Sequence, residues 1–337
     1  MICKLCQAKE ANQTGSHIFT LKLVSVCTNV EGDSVRDKEL MFGISQSGKT
    51  DLYIGRAVKP DKIKEVKGRD LTDDEIENNI NRIVRDNVFC TDCEKLFGKV
   101  ESTFSDTLNE IRLRGRLEFK SKLEIRLFFF IQAWRASICS YNGWKLTEKF
   151  EELLRILIFE GCKQFDQGIS QDIIEKILSI PIIVTYLETQ SGCETTNVIL
   201  IPDNKKPFLL FLCDLCLQLF EPENEINDII IPEYFNLNSL PTHKPINFHE
   251  TQFIFGFMSN VERMYLIRKI NSDVMAEKAL NGFIETFISY CANFGVTPNG
   301  KMISDFVQAF VFASDIPIAV RYTDERIKLL AQKLTGN

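Results

Sequence analysis

Two Cys-x-x-Cys pairs, Cys3–Cys6 and Cys90–Cys93, constrain this 337-residue chain more than any other feature it carries. Two-residue spacing lets both thiolates of a pair reach one tetrahedral ion, and two such pairs complete a four-sulfur shell. The second pair stands in Cys90-Thr-Asp-Cys93-Glu-Lys-Leu-Phe, a helix start whose free amides help stabilise thiolate charge. Cys3, Cys6, Cys90 and Cys93 are therefore read as ligands of one structural zinc ion. The competing reading is of four unrelated core or surface thiols. On the zinc reading, the 83 residues between Cys6 and Cys90 loop out as an insertion between two zinc-binding halves.

The N-terminus lacks the basic start, apolar middle and small-residue cleavage site of a secretory signal, and no apolar run approaches bilayer length. The expectation is a cytoplasmic protein with no membrane association, whose thiols face a reducing environment without disulfides. Cys27, Cys139, Cys162, Cys193 and Cys291 are given no role, and Cys213-x-x-Cys216, inside an apolar run with no second pair nearby, is read as core. The net charge is −6, split as 23 basic and 21 acidic residues up to Arg135 against 17 and 25 beyond it. Bulk charge thus gives no case for nucleic-acid binding, while leaving room for a local basic face.

The pattern along the chain predicts an α+β protein, mostly helical. Turn signals at Gly32, Gly43, Gly48, Gly55 and Gly68 with short apolar runs such as Leu40 to Ile44 read as strands and loops. Thr72-Asp73-Asp74-Glu75 is a capping-box pattern that predicts a helix from about Asp73 to Arg85. Alternation from Ile111 to Phe119 predicts a strand with Arg112, Arg114 and Arg116 on an exposed face. Ser121-Lys122-Leu123-Glu124 is a second capping box, opening a helix apolar nearly all round; Phe150, Leu153, Leu154, Leu157, Ile158 and Gly161 mark one face of the next. After Pro181, runs at Ile182 to Tyr186, Asn197 to Ile201, Phe208 to Cys213 and Ile229 to Ile231 predict a small antiparallel sheet, at about 181–232. Helical patterns return at about Glu250 to Asn293, Gly300 to Ala313 and Asp324 to Leu334. The domains so drawn are a zinc module at 1–108, with its insertion at about 28–72, and a helical domain at 109–337.

His17 stands eleven positions after Cys6, in Gly15-Ser16-His17-Ile18-Phe19. Cys-x-x-Cys, then Ser-His-Ile, then Cys-x-x-Cys-Glu opening a helix resembles the HNH (ββα-metal) nuclease module, a treble-clef-like fold. The order is similar to that of a group of bacterial proteins in which a Trp-Arg helix comes next, here Gln132-Ala133-Trp134-Arg135. The resemblance covers roughly residues 1–140. It implies a metal-dependent nuclease acting on DNA or RNA, with His17 as the general base that deprotonates water and Mg²⁺ or Mn²⁺ opposite it. The place where that family carries a metal-binding His or Asn is held by Glu94, and Asn87 is the candidate for its middle Asn. The type of family also implies a role in defence against phage. His17 has a second reading, as a histidine that hydrogen-bonds within the module without doing chemistry. Glu101 and Arg135 are read as an ion pair joining the module to the helical domain.

Arg112, Arg114, Arg116, Lys120 and Lys122 form the best polyanion patch, since cations spaced along one face can neutralise successive phosphates. Gly43-x4-Gly48-Lys49-Thr50 satisfies the phosphate-loop spacing, but the strand-like Asp51 to Gly55 stands where such a loop needs a helix. His243 and His249 are read as surface structure. The alternative to a nuclease is a catalytically inactive, zinc-stabilised module for binding or assembly, with the C-terminal helical part recognising a protein partner.

Overall fold

The computed structural model of the protein describes residues 1–29, 37–44, 50–120, 123–189, 207–222, 252–270 and 277–336. The helices in chain order are α1 (Leu21–Thr28), α2 (Pro60–Lys67), α3 (Asp73–Glu77), α4 (Thr91–Arg114), α5 (Leu123–Ile138) and α6 (Glu148–Gln164). They continue as α7 (Gln171–Ser179), α8 (Asn260–Ile270), α9 (Glu277–Asn293), α10 (Gly300–Val311), α11 (Ile318–Arg321) and α12 (Asp324–Thr335). The strands are β1 (Ser16–His17), β2 (Leu40–Ile44), β3 (Thr50–Ile54), β4 (Val84–Arg85), β5 (Glu118–Phe119) and β6 (Ile182–Leu187). Four more follow among the described residues: β7 (Phe208–Leu212), β8 (Leu215–Leu219), β9 (Phe253–Ile254) and β10 (Gly256–Met258). The chain is mixed α+β and folds into two compact units. One is Met1–Cys27 with Arg82–Lys269, the other Thr28–Asn81 with Ile270–Asn337. Cys3, Cys6, Cys90 and Cys93 lie in the first unit with β4–β10 and α4–α7, and β2, β3, α2 and α3 lie in the second.

The first unit is built around α5. Ile125 to Ser137 are buried without interruption, as an all-round apolar helix requires. Each fully buried Leu, Ile or Phe contributes roughly 1.5–3 kcal/mol, so the polar Arg126, Gln132 and Arg135 are tolerated there only with hydrogen-bond partners. Arg126 has one in the carbonyl of Ile180 at 2.5 Å. Against α5 packs the apolar stripe of α4, from Cys93 through Phe97, Val100, Phe104 and Leu108 to Ile111. The rings of Phe104 and Phe128 stack 3.8 Å apart. On α6 the buried face is the one that the spacing predicts, Phe150 to Cys162.

The larger sheet has the order β10-β6-β8-β7. β6 and β7 each pair antiparallel with β8, as the runs after Pro181 predict, and β10, from beyond that stretch, joins β6 in parallel. All of β7 and β8 is buried, which is why Phe208 to Phe220 reads as a continuous apolar run instead of alternating. Trp144 Nε1 donates to the carbonyl of Leu209 at 2.9 Å. At the β7–β8 turn Cys213 adopts φ 58° and is disulfide-bonded to Cys27, with Cα atoms 5.6 Å apart. This corrects the expectation of a chain without disulfides: the turn brings to α1 a cysteine that the sequence separates from it by 186 positions.

In the second unit β2 and β3 form an antiparallel hairpin, Leu40 opposite Ile54. Its helical part packs Phe283, Phe287, Cys291, Phe306, Phe310 and Leu330 into one core. Helix α10 is capped by Asn299, whose side chain accepts from the Met302 amide at 2.9 Å. The capping box predicted at Thr72 and Glu75 forms, but α3 ends at Glu77 instead of running to Arg85. Asn78 folds its side chain back on Asp74, and the Asn79 side chain bonds both backbone groups of Ile54, diverting the chain from the helix.

Two further expectations are corrected. Residues 111–114 are the last turn of α4, not a strand; Gly115, at φ 62°, terminates the helix, and Arg112 and Arg114 sit where basic side chains favour a helix C-terminus. Residues 253–258 are the strands β9 and β10, so the next helix starts only at Asn260. The capping box at Ser121, the runs at 197–201 and 229–231, His243, His249 and the core of the phosphate-loop pattern lie outside the described residues.

Candidate metal centre and the residues around it

The first cysteine pair lies in a tight loop closed by a bridge between Ile2 and Glu10. The Cys3 amide donates to Lys9 O at 2.8 Å, and the Gln7 amide to Cys3 O at 3.0 Å; Gln7 turns the chain at φ 54°. This loop is stitched to the segment before α4 by Lys4 N to Val88 O at 3.0 Å and by Asn12 and Gln13 amides to Phe89 O at 3.1 Å. Cys90 is the N-cap residue of α4 and Cys93 lies in its first turn, so the second pair sits at the positive end of a 24-residue helix.

These elements bring the sulfurs of Cys3, Cys6, Cys90 and Cys93 within 4.8 Å of one another, with Cys6 and Cys90 Sγ 3.9 Å apart. A tetrahedral ion with metal–sulfur bonds of about 2.3 Å requires sulfur–sulfur edges of about 3.8 Å. The cluster is therefore of the size to hold a metal ion. Burial pushes the Cys3 and Cys93 thiols up. Burial acts the same way on Cys6, but the amides of Ala8 and Lys9 outweigh it and bring that thiol down to about 7. A dication is the counter-charge that lets such buried thiols ionise together.

His17 lies on the two-residue ladder of β1 with β4, opposite Val84, and is half-buried. Its strand continues into Ile18, whose amide donates to Ile83 O at 2.7 Å. Arg135, 3% exposed on its side chain, meets this strand from α5: Nη1 donates to His17 O at 3.2 Å and to Glu101 Oε1 at 2.8 Å. Its Nη2 lies 3.6 Å from Glu94 Oε2, and its guanidinium stands 4.1 Å from the centre of the Phe97 ring. The Arg135–Glu101 pair read from the sequence is thus present. The other oxygen of Glu94, Oε1, is buried without a hydrogen-bond partner among the described residues.

No family model matches this chain, and no curated protein or solved structure matches it.

The remaining candidates are dispersed. Asn87, at φ 57°, is exposed on the turn between β4 and α4, its amide bonded to Gln13 O at 2.7 Å. Arg112 forms a two-point ion pair with Asp214, at 2.6 and 2.7 Å, and also donates to Lys22 O and Leu23 O. Arg114 pairs with Glu110 one turn back at 2.8 Å, and Arg116 donates to Glu118 O at 2.9 Å beside the Phe119 ring. Lys120 is exposed, and Lys122 lies outside the described residues. The alternating strand face expected of Arg112 and Arg114 is replaced by a helical one, because a helix turns successive side chains by about 100° where a strand alternates them.

Two residues carry more of the local geometry than their sequence signal suggests. Gln132, fully buried, accepts from the Thr20 amide at 2.9 Å and donates to Thr20 Oγ1 at 2.9 Å. Asp214, 1% exposed, is the partner that holds Arg112. Each is a polar residue inside an apolar run, Leu127 to Trp134 and Phe208 to Phe220, and a buried polar group needs a partner.

Proposed function

We propose that the four cysteines hold a structural zinc ion and that the module closed around it is an HNH-like, metal-dependent nuclease with His17 as general base. Thiolates in a closed four-sulfur shell suit zinc, which then organises the fold and takes no part in chemistry. The observation that carries the nuclease reading is the order strand, strand, helix: β1 bears His17 and pairs antiparallel with β4, which leads through Cys90 into α4, where Glu94 stands in the first turn. The unsatisfied Oε1 of Glu94 fits a hard cation such as Mg²⁺ or Mn²⁺. Such a cation would offset the charge developing on the oxygen that leaves phosphorus. His17 takes the proton from the attacking water, and Glu94 holds its carboxylate in place through Arg135. The substrate is a DNA or RNA phosphodiester, and the resemblance to bacterial proteins makes defence against phage its setting.

One observation favours a second reading, a zinc-stabilised module that binds a protein partner without catalysis: Glu94 already has a cationic neighbour in Arg135. Cleavage assays decide between them. Single- and double-stranded DNA and RNA are incubated with Mg²⁺ or Mn²⁺ and the native protein or a folded, zinc-loaded His17→Ala variant. The nuclease reading expects cutting by the native protein and a loss of about 10²–10⁴-fold in the variant, the range of general-base catalysis. Equal cutting by both removes His17 from the mechanism, and none by either leaves the binding module.

A further inference from the structure

We infer that Gln132 and Arg135 are positioning residues for His17, acting on the backbone that carries it. The inference rests on the reading of His17 as the general base. The two side chains stand three residues apart on α5, and the points they grip, His17 and Thr20, are likewise three residues apart. Arg135 donates to the His17 carbonyl at one end, and Gln132 bonds both the amide and the hydroxyl of Thr20 at the other. Between the two grips Ile18 and Phe19 are buried, and Phe19 meets the Tyr141 ring edge-on at 5.1 Å.

The clamp is itself rigid. Gln132 is fully buried in a helix with no exposed face over this stretch, so its amide cannot turn to water. Arg135 is also held by Glu101, Glu94 and the Phe97 ring. A base on a two-residue strand has little ladder to fix it, and a displacement of about 1 Å at a reacting group costs on the order of 10²-fold in rate. The function of the clamp is to remove that displacement: α5 supplies from the core the rigidity that β1 is too short to supply alone.

The test uses the full zinc-loaded chain and four variants. Thr20→Val removes the hydroxyl that Gln132 reaches and Thr20→Ser retains it; Gln132→Met removes both Thr20 bonds; Arg135→Lys removes the guanidinium Nη1 that donates to His17 O. Turnover on the cleaved nucleic acid should fall about 10²-fold in Thr20→Val, Gln132→Met and Arg135→Lys, with KM within about twofold and bound zinc unchanged, and Thr20→Ser should recover it. In parallel, the imidazole nitrogen resonances of His17 should move in the same three variants and return in Thr20→Ser. Native turnover together with an unmoved His17 signal in Thr20→Val and Gln132→Met would overturn the inference. If the native protein cuts nothing, the nuclease reading falls, and the His17 signal alone decides the clamp, an unmoved signal counting against it. If Gln132→Met or Arg135→Lys loses zinc through misfolding, the Thr20 pair decides.

Discussion

Arg112 shows what a single side chain gains by being folded in rather than exposed. Its guanidinium meets an almost fully buried Asp214 at two points and caps the carbonyls of Lys22 and Leu23. Removing one partner of such a pair strands the other charge away from water, an effect that far exceeds the near-zero value of an exposed pair. Asp214→Asn should therefore lower stability by roughly 2–4 kcal/mol, below the fully buried limit because Arg112 keeps some exposure. Arg114→Ala, at an exposed i,i+4 pair, should leave it unchanged. Urea unfolding followed by circular dichroism measures both, and equal midpoints for the two variants would contradict the assignment. The contrast also marks the limit of what single residues disclose in sequence. The cysteines are legible because Cys-x-x-Cys spacing is local and its chemistry narrow. Arg112 and Asp214 lie 102 positions apart, and neither residue type announces the other.

At the scale of elements, the helices with one clear apolar stripe follow their sequence pattern, as α6 and α10 do. What the pattern misses are endings and pairings. Ile111 to Arg116 alternates apolar and basic residues as a strand would, yet Leu113 is 81% exposed and Gly115 closes a helix in the left-handed region. The stop signal is the glycine, and short alternation cannot outweigh a 24-residue helix already under way. The parallel partner β10 is similarly invisible, since nothing in Gly256–Met258 specifies a strand about 70 residues earlier. Close approach between helices is more readable. A Cβ at Gly161 on α6 would stand 2.9 Å from Leu127 Cδ2 on α5, in a core where Leu127 has no exposed surface to retreat into. Gly161→Val should cost about 1–3 kcal/mol through overpacking, despite the usual gain from replacing a helical glycine. A thermal midpoint equal to or above the native one would show that α5 and α6 do not meet as closely as the structure places them.

For the whole molecule, the decisive property is that two units are threaded through one chain, each made of two segments. The sequence sets residues of about 28–72 apart as an insertion in the cysteine module, but the pairing of 28–81 with 270–337 is a non-local choice that no local pattern encodes. The zinc reading gives the two units different dependence on metal. In the cysteine loop the buried apolar side chains from residues 1 to 15 are Cys3, Leu5 and Ala11, too small a set to hold that segment against a conformational entropy cost of about 1–2 kcal/mol per residue. Structural zinc in small domains is worth about 10–16 kcal/mol, as much as the whole stability of an ordinary domain, so on that reading the ion would take the place of a core. Helices α9 and α10 carry their own packed aromatics, with Phe287 and Phe306 stacked at 4.2 Å, and α12 adds Ile327, Leu330 and Ala331 to that core. Removing metal with 1,10-phenanthroline, or by Cys90→Ser, should therefore abolish amide-exchange protection first in residues 1–15 and 86–95, leaving α5 and residues 277–336 protected. Hydrogen exchange read peptide by peptide separates the outcomes. Protection that survives at 1–15 in a metal-free protein would show that the four sulfurs are core thiols held by packing. Simultaneous loss at 277–336 would show that the second unit draws its stability from the first.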